Sequence, residues 1–416
     1  MLIQFRFQNF LSFRDDTILD FSATKITEHG EHVVTIGKEK LLPVAAIFGA
    51  NASGKTNALS ALTFMAFYVT KSFQFGSKAK DHQEDNDGRP MLPPFLFCPA
   101  SREAATTFEV YFTIGKENNG RVYNYGFVLD RNGVVEEWLN IKAKTAKEAR
   151  KVFYRSGPTC DLSGLPPKMQ ENIKLSLGPE TLIVSLGAIL RIGVLKAVYD
   201  WFYDCNFTDF GDPDINATLS RQLPPRFWEK SVQVQVVNYL SSFDPSIIDF
   251  EVERNEKEKY VKVNAIHRTS DGGTIALPLE QESSGTLKML TLYPFLKNTL
   301  RDGSVLVVDE LNARLHPLLV RSFLLTFLDP NINKNHAQLI FTTHDAWQLS
   351  NDLLRRDEIW FTEKDGDGAS TLYSLADFQN EDGDKIRKDE NYEKNYLLGK
   401  YGAIPTLKCF DILGEG

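Results

Sequence analysis

The stretch Pro43-Val-Ala-Ala-Ile-Phe-Gly-Ala-Asn-Ala-Ser-Gly-Lys-Thr56 decides how the rest of the chain is read. Residues 43–48 form a short apolar run without polar alternation, the pattern of a strand buried on both faces of a parallel sheet. Gly49 to Thr56 then fits G-x-x-x-x-G-K-[ST] in full. Beyond it, Leu59, Leu62, Ala66 and Val69 share one face of a helix. Strand, glycine loop and helix make a phosphate cradle. Glycines let the backbone curl its N–H groups toward an anion, and the helix N-terminus adds partial positive charge. The expected nucleotide contacts run through Gly49, Asn51, Ala52, Ser53, Gly54, Lys55, Thr56 and Asn57, with Lys55 on the β/γ-phosphates and Thr56 on Mg²⁺.

At 416 residues the chain is long enough for two or three domains, or for one large interrupted one. Its 29 Phe, 14 Tyr and 5 Trp supply a core and exclude disorder. Four scattered cysteines (Cys98, Cys160, Cys205, Cys409) form no C-x-x-C pair, which excludes a disulfide framework and reads as reduced thiols in a cytoplasmic protein. Met1-Leu-Ile-Gln-Phe-Arg lacks the order of a secretory signal. The apolar stretch Leu182–Leu195 is broken by Ser185, Gly187 and Arg191, too short and too polar for a membrane span of ~20 residues. A net charge of −8 gives no general attraction to nucleic acid, and Lys147-Glu-Ala-Arg-Lys151 reads as a solvated basic cluster. The 7 histidines show neither H-E-x-x-H nor a Cys/His ligand spacing, so no structural metal is expected.

Residues 1–160 read as one lobe, carrying the P-loop and an antiparallel meander over 106–155. Phe108, Val110, Phe112 and Ile114 share a strand face, and Asn118-Asn-Gly120 and Arg131-Asn-Gly133 are hairpin turns. Residues 161–246 read as a helical insert, with helices over Leu182–Phe202 and Trp228–Leu240. Residues 247–416 return to strands, with a hairpin across Ser270–Gly273 and another near Thr362–Asp365. The apolar runs Ser304–Asp309 and Ala337–Thr343 flank a helical pattern from Leu318 to Phe327, a parallel α/β unit.

Chemistry concentrates at the ends of these runs. Asp309 closes an apolar strand where it can hold Mg²⁺, and Glu310 follows as the candidate general base for the attacking water. His344 closes the next strand, at the sheet edge where ligands of α/β folds bind. Asp345-Ala-Trp-Gln348 resembles a capping box opening a further helix. Glu282-Ser283-Ser284-Gly285-Thr286 precedes a helical run; on spacing alone it is an ordinary serine N-cap, though it can also bind an anion.

Taken in order, these elements resemble the ABC-type ATPase heads of the RecF/SMC group. Walker A is followed by an insert, a signature loop whose S-x-G core matches Ser283-Ser284-Gly285, Walker B at Asp309-Glu310, and a switch histidine at His344. The opening Phe7-Gln-Asn-Phe10-Leu-Ser-Phe13, the stretch Asp309-Glu-Leu…Leu315-His-Pro317 and the tail Tyr396–Pro405 are similar to the stand-alone RloA/AbiL-like ATPases of phage-defence and abortive-infection operons. The resemblance implies an α/β fold with a mixed central sheet, an antiparallel meander and a helical insert. It implies ATP and Mg²⁺ as ligands, a homodimer or higher homo-oligomer sandwiching nucleotide, and an effector partner such as a nuclease. Ser284 and Gly285 would then act on the partner head's nucleotide. Asn312 stands where related heads carry Asp. Gln83 is the nearest candidate for a glutamine loop, and the insert is too short for a coiled-coil arm. A RecF-like DNA-repair clamp and a P-loop enzyme for a small substrate are the competing readings. The acidic total and scarce basic patches favour the defence ATPase, because phosphate neutralisation dominates DNA affinity.

Overall fold

Val44, Ala46 and Phe48 bury against one side of the P-loop strand, and Ala45 and Ile47 against the other. The period-2 alternation of a strand explains why all of these positions are apolar: both faces are covered. A computed structural model describes residues 1–75, 89–115, 120–212, 223–253, 262–379, 383 and 385–405. Its central sheet has six strands, in the order Asn206–Asp209, Val305–Asp309, Gln338–Thr342, Val44–Gly49, Ile359–Lys364 and Ser370–Ser374. The first five run parallel, and the last folds back antiparallel as the expected hairpin.

A second, wholly antiparallel sheet has seven strands. Thr159–Asp161, Arg150–Ser156, Gly133–Lys142, Val122–Asp130 and Thr106–Phe112 form the expected meander, which continues onto Leu2–Gln8 and Thr17–Asp20. The P-loop helix Lys55–Lys71 lies between the two sheets. Phe64 and Tyr68 from this helix meet Phe10, Phe108 and Phe127 of the antiparallel layer. On the opposite face of the central sheet, helices Ser284–Asp302 and Pro317–Leu328 bury Leu292, Leu296, Phe323 and Phe327 against Leu306, Val308, Leu339 and Phe341. The fold class is therefore the one expected: α/β, a mixed central sheet with the P-loop, an antiparallel meander and added helices.

Segment 161–246 contains helices Pro167–Ser176, Ile183–Ile189, Gly193–Tyr203 and Lys230–Leu240. It also supplies strand Asn206–Asp209 to the central sheet. The single helix expected over Leu182–Phe202 is two. Arg191 takes a left-handed φ of 57°, and its neighbour Ile192 bonds back to the Gly187 carbonyl. Gly187 lets the second helix fold against the first, since a Cβ there would stand 2.1 Å from Leu195. The helix foreseen after Asp345 is a single 3-10 turn, Ala346–Gln348, which the Asp345 carboxylate caps. Gln83 and most of the Asn118–Gly120 turn lie outside the described residues. Among the described residues no helix is long and apolar enough to cross a membrane.

Candidate nucleotide site

All parallel strands of the central sheet end on one edge, so the loops after Gly49, Asp209, Asp309 and Thr342 meet there. The P-loop turns tightly against the neighbouring strand. A Cβ on Gly49 would stand 2.6 Å from both Ser53 and Thr362, and one on Gly54, at φ 113°, would strike Ser370 at 2.5 Å. Only glycine permits that approach. Asn51 and Ala52 are exposed at the loop's crest, whereas Ser53 is buried and bonds the Thr362 hydroxyl at 2.6 Å. Asn57 turns to Ser12, donating to its hydroxyl at 2.8 Å.

The Lys55 amine folds back under the loop and donates to the carbonyls of Gly49 and Ala50 at 2.8 and 2.9 Å. Burial pulls its pKa down to about 8, against the opposing pull of Asp309 and Glu310. His344 Nδ1 stands 3.5 Å from this amine, and Nε2 lies 3.8 Å from Glu310 Oε1. Burial first, and then the charge of Lys55, lower the His344 pKa, so the ring is neutral at physiological pH.

Asp309 is buried at the end of its strand and accepts a hydrogen bond from the Thr342 hydroxyl. The same hydroxyl accepts from the Glu310 backbone N–H at 2.8 Å. Glu310 itself has a left-handed φ of 49°, which swings its half-exposed side chain out of the strand. Asn312 joins this loop to the next one. Its Oδ1 accepts from the Thr343 hydroxyl at 2.9 Å and from the His344 N–H at 3.3 Å. Either Asn or Asp can offer that oxygen, so the Asn found here preserves the link.

Two functional candidates escaped sequence reading. Asp209 pairs in register with Asp309 on the adjacent strand, and burial followed by the Asp309 charge raises its pKa. Its sequence, Asn-Phe-Thr-Asp, carried no strand signal. Lys288, on the helix after Ser283, buries its amine under the Asp309–Ala313 loop and donates to the carbonyls of Glu310, Leu311 and Ala313 at 3.3, 2.7 and 2.8 Å.

Thr56 is exposed at the first helical turn, and a cavity of about 660 Å³ opens beside Thr56, Asp209 and Asp309, floored by Phe10, Phe64 and Phe207. A hydroxyl and two carboxylates are hard oxygen donors, the set that fits Mg²⁺. Ser283, Ser284 and Gly285 lie elsewhere. Ser283 caps helix Ser284–Asp302 by accepting from Thr286 N at 3.0 Å, and Gly285 faces the Arg314 carbonyl. The helix therefore begins three residues earlier than its apolar run, and Ser284 stands exposed on its first turn.

The sequence matches the family model described as "AAA domain, putative AbiEii toxin, Type IV TA system" over residues 44–158 and 212–346, more than half of the chain. No curated protein matches it. Similar solved structures include the SMC head domain from Thermotoga maritima, 15% identical, covering 90% of this chain and 98% of that one with a TM-score of 0.42. Another is the SMC head bound to the C-winged-helix domain of ScpA, 13% identical, covering 90% and 97%, with a TM-score of 0.44.

Proposed function

The chain belongs to the AAA-domain family described as putative AbiEii toxin, type IV toxin–antitoxin system, and from that premise we propose that it binds and hydrolyses ATP to control a partner effector in bacterial phage defence. The observation that carries the ATPase reading is the convergence of Lys55, Asp309, Glu310 and His344 on one sheet edge beside a glycine cradle. In this reading the P-loop N–H groups and Lys55 hold the β- and γ-phosphates. Thr56 and Asp309 would hold Mg²⁺, with Asp209 beside them, which would supply charge neutralisation to the phosphate oxygens. Glu310 orients and deprotonates the attacking water, and neutral His344 hydrogen-bonds near the γ-phosphate.

The exposed Ser284 and the half-buried Gly285 serve the nucleotide of a second copy, so that two heads close over two ATP molecules. Their place at the N-terminus of helix Ser284–Asp302 supports this, as does Gly285 lying against the Arg314 carbonyl. ATP-driven closure would then be the signal passed to an effector, a nuclease-like toxin, in the cytoplasm. The RloA/AbiL-like motifs support that role, and the charge of −8 suits a protein partner better than unaided DNA. Purified Lys55→Ala chain tests the reading: ATP binding and phosphate release should disappear. Tight DNA binding by the wild-type chain at physiological salt would instead favour a repair clamp.

A further inference from the structure

Seventeen residues before the P-loop, the 3-10 turn Gly30–His32 brings together three side chains that the sequence patterns for metals had passed over. We propose that His29, Glu31 and His32 form a zinc-type divalent metal site distinct from the nucleotide cradle. Residues at i and i+3 eclipse in a 3-10 turn, so the two imidazoles stack, with centroids 4.9 Å apart and planes 13° apart. His29 Nδ1 lies 3.3 Å from Glu31 Oε1, and His32 Nε2 lies 4.0 Å from the same oxygen. All three ligand atoms fall within 4.8 Å of one another.

What each ring does with its other nitrogen decides the argument. His29 Nε2 is 2.8 Å from the Asn351 carbonyl, which can only accept, so Nε2 carries a hydrogen and the neutral ring presents the Nδ1 lone pair on the Glu31 side. His32 Nδ1 is 3.1 Å from both oxygens of the fully buried Glu358, which places its hydrogen there and leaves Nε2 bare. With both rings neutral, three electron-pair donors therefore lie side by side. Protonating both rings would set two imidazolium ions face to face. One divalent cation satisfies all three donors at once. A carbonyl and a carboxylate behind the ligand histidines are the usual means of fixing ring tautomer and orientation at metal centres.

Two imidazole nitrogens and one carboxylate suit Zn²⁺ better than Mg²⁺ or Ca²⁺, and leave a fourth position for water. Ligand bonds of about 2.0–2.2 Å in tetrahedral array require the two rings to tilt out of their stack and Glu31 to close over them. Glu31, 60% exposed, and the partly exposed His29 have the room to do so. The seat is already rigid. Buried Arg355 pairs with Asp357 at 2.9 Å and donates to the Glu28 and Ile26 carbonyls, and Asp357 also accepts from Thr24. A metal here would clip loop 24–32 to the segment joining His344 to strand Ile359–Lys364.

The test uses the full chain, stripped with chelator and titrated with Zn²⁺ against a chromophoric competitor, with Co²⁺ as a spectroscopic substitute. We expect one tight equivalent per chain and a tetrahedral Co²⁺ absorption band. His29→Asn keeps a residue that tolerates the left-handed backbone at φ 48°, and Glu31→Gln alters an exposed side chain. Each should weaken Zn²⁺ binding at least tenfold, and the double variant should abolish it, with circular dichroism and melting in chelator unchanged. Equal binding by wild type and double variant, or no retained Zn²⁺ in the wild type, overturns the site.

Discussion

His344 Nε2 and Glu310 Oε1 are separated by 3.8 Å, too long for a direct hydrogen bond, while Lys55 stands 3.5 Å from the other ring nitrogen. The imidazole thus sits between the phosphate-binding cation and the proposed base. Glu310→Gln keeps the side chain's size and the left-handed backbone but removes the base. We expect ATP binding to persist while turnover falls by roughly 10²–10⁴, read by phosphate release alongside a fluorescent-nucleotide titration. Normal turnover would show that another group activates the water.

The depressed pKa of Lys55, about 8 through burial, gives nucleotide binding a pH dependence. Below that value the amine is charged and can meet phosphate; above it the free protein presents a neutral amine. ATP affinity should therefore hold steady to about pH 8 and then fall by up to about tenfold per unit. Calorimetric titrations from pH 7.5 to 9.5 check this, and a flat profile contradicts it. Lys55→Ala, which should not bind ATP, should give no signal at any of these pH values.

Lys288 is the keystone of the loop behind the tandem acids. Lys288→Met keeps the stem but strips three carbonyls, one buried and two partly buried, of their donor, at a cost of about 2–4 kcal/mol. Urea denaturation should show a lower midpoint with the slope unchanged, and turnover should drop because Glu310 loses its backing. An unchanged midpoint would mean that water replaces the amine.

Mixing Lys55→Ala and Ser284→Arg chains examines the two-headed sandwich. Each variant alone should be inactive, whereas a mixed pair holds one intact composite site of two, so an equimolar mixture that pairs at random should regain about a quarter of the wild-type activity. Absence of recovery at every ratio argues for sites completed within one chain.

Much of the architecture was legible where chemistry and burial coincide. Val44–Gly49, Val305–Asp309 and Gln338–Thr342 are apolar because both faces are covered, and short apolar runs between breakers announce that. Strand Asn206–Asp209 was invisible for the opposite reason. One apolar residue in four gives no period, and the segment is extended because the Val305–Asp309 edge offers it a ladder of hydrogen bonds. Lys288 looked like one polar position on a helix, and only the loop folded over it reveals three carbonyls to satisfy. The His29–His32 cluster was missed because the known spacings describe α-helical or Cys-containing sites, whereas a 3-10 turn brings i and i+3 into register.

The P-loop strand pairs on one side with Gln338–Thr342 and on the other with Ile359–Lys364. Neither neighbour exists until some 290 further residues have left the ribosome, roughly 15–60 s at about 5–20 residues per second. During that interval Val44–Phe48 is an unpaired apolar ribbon, a candidate for chaperone capture or aggregation. A chain that stops before Ile359 lacks Thr362 and Ser370, the side chains against which Gly49 and Gly54 pack, so the loop takes its final shape only once nearly the whole sequence has been made.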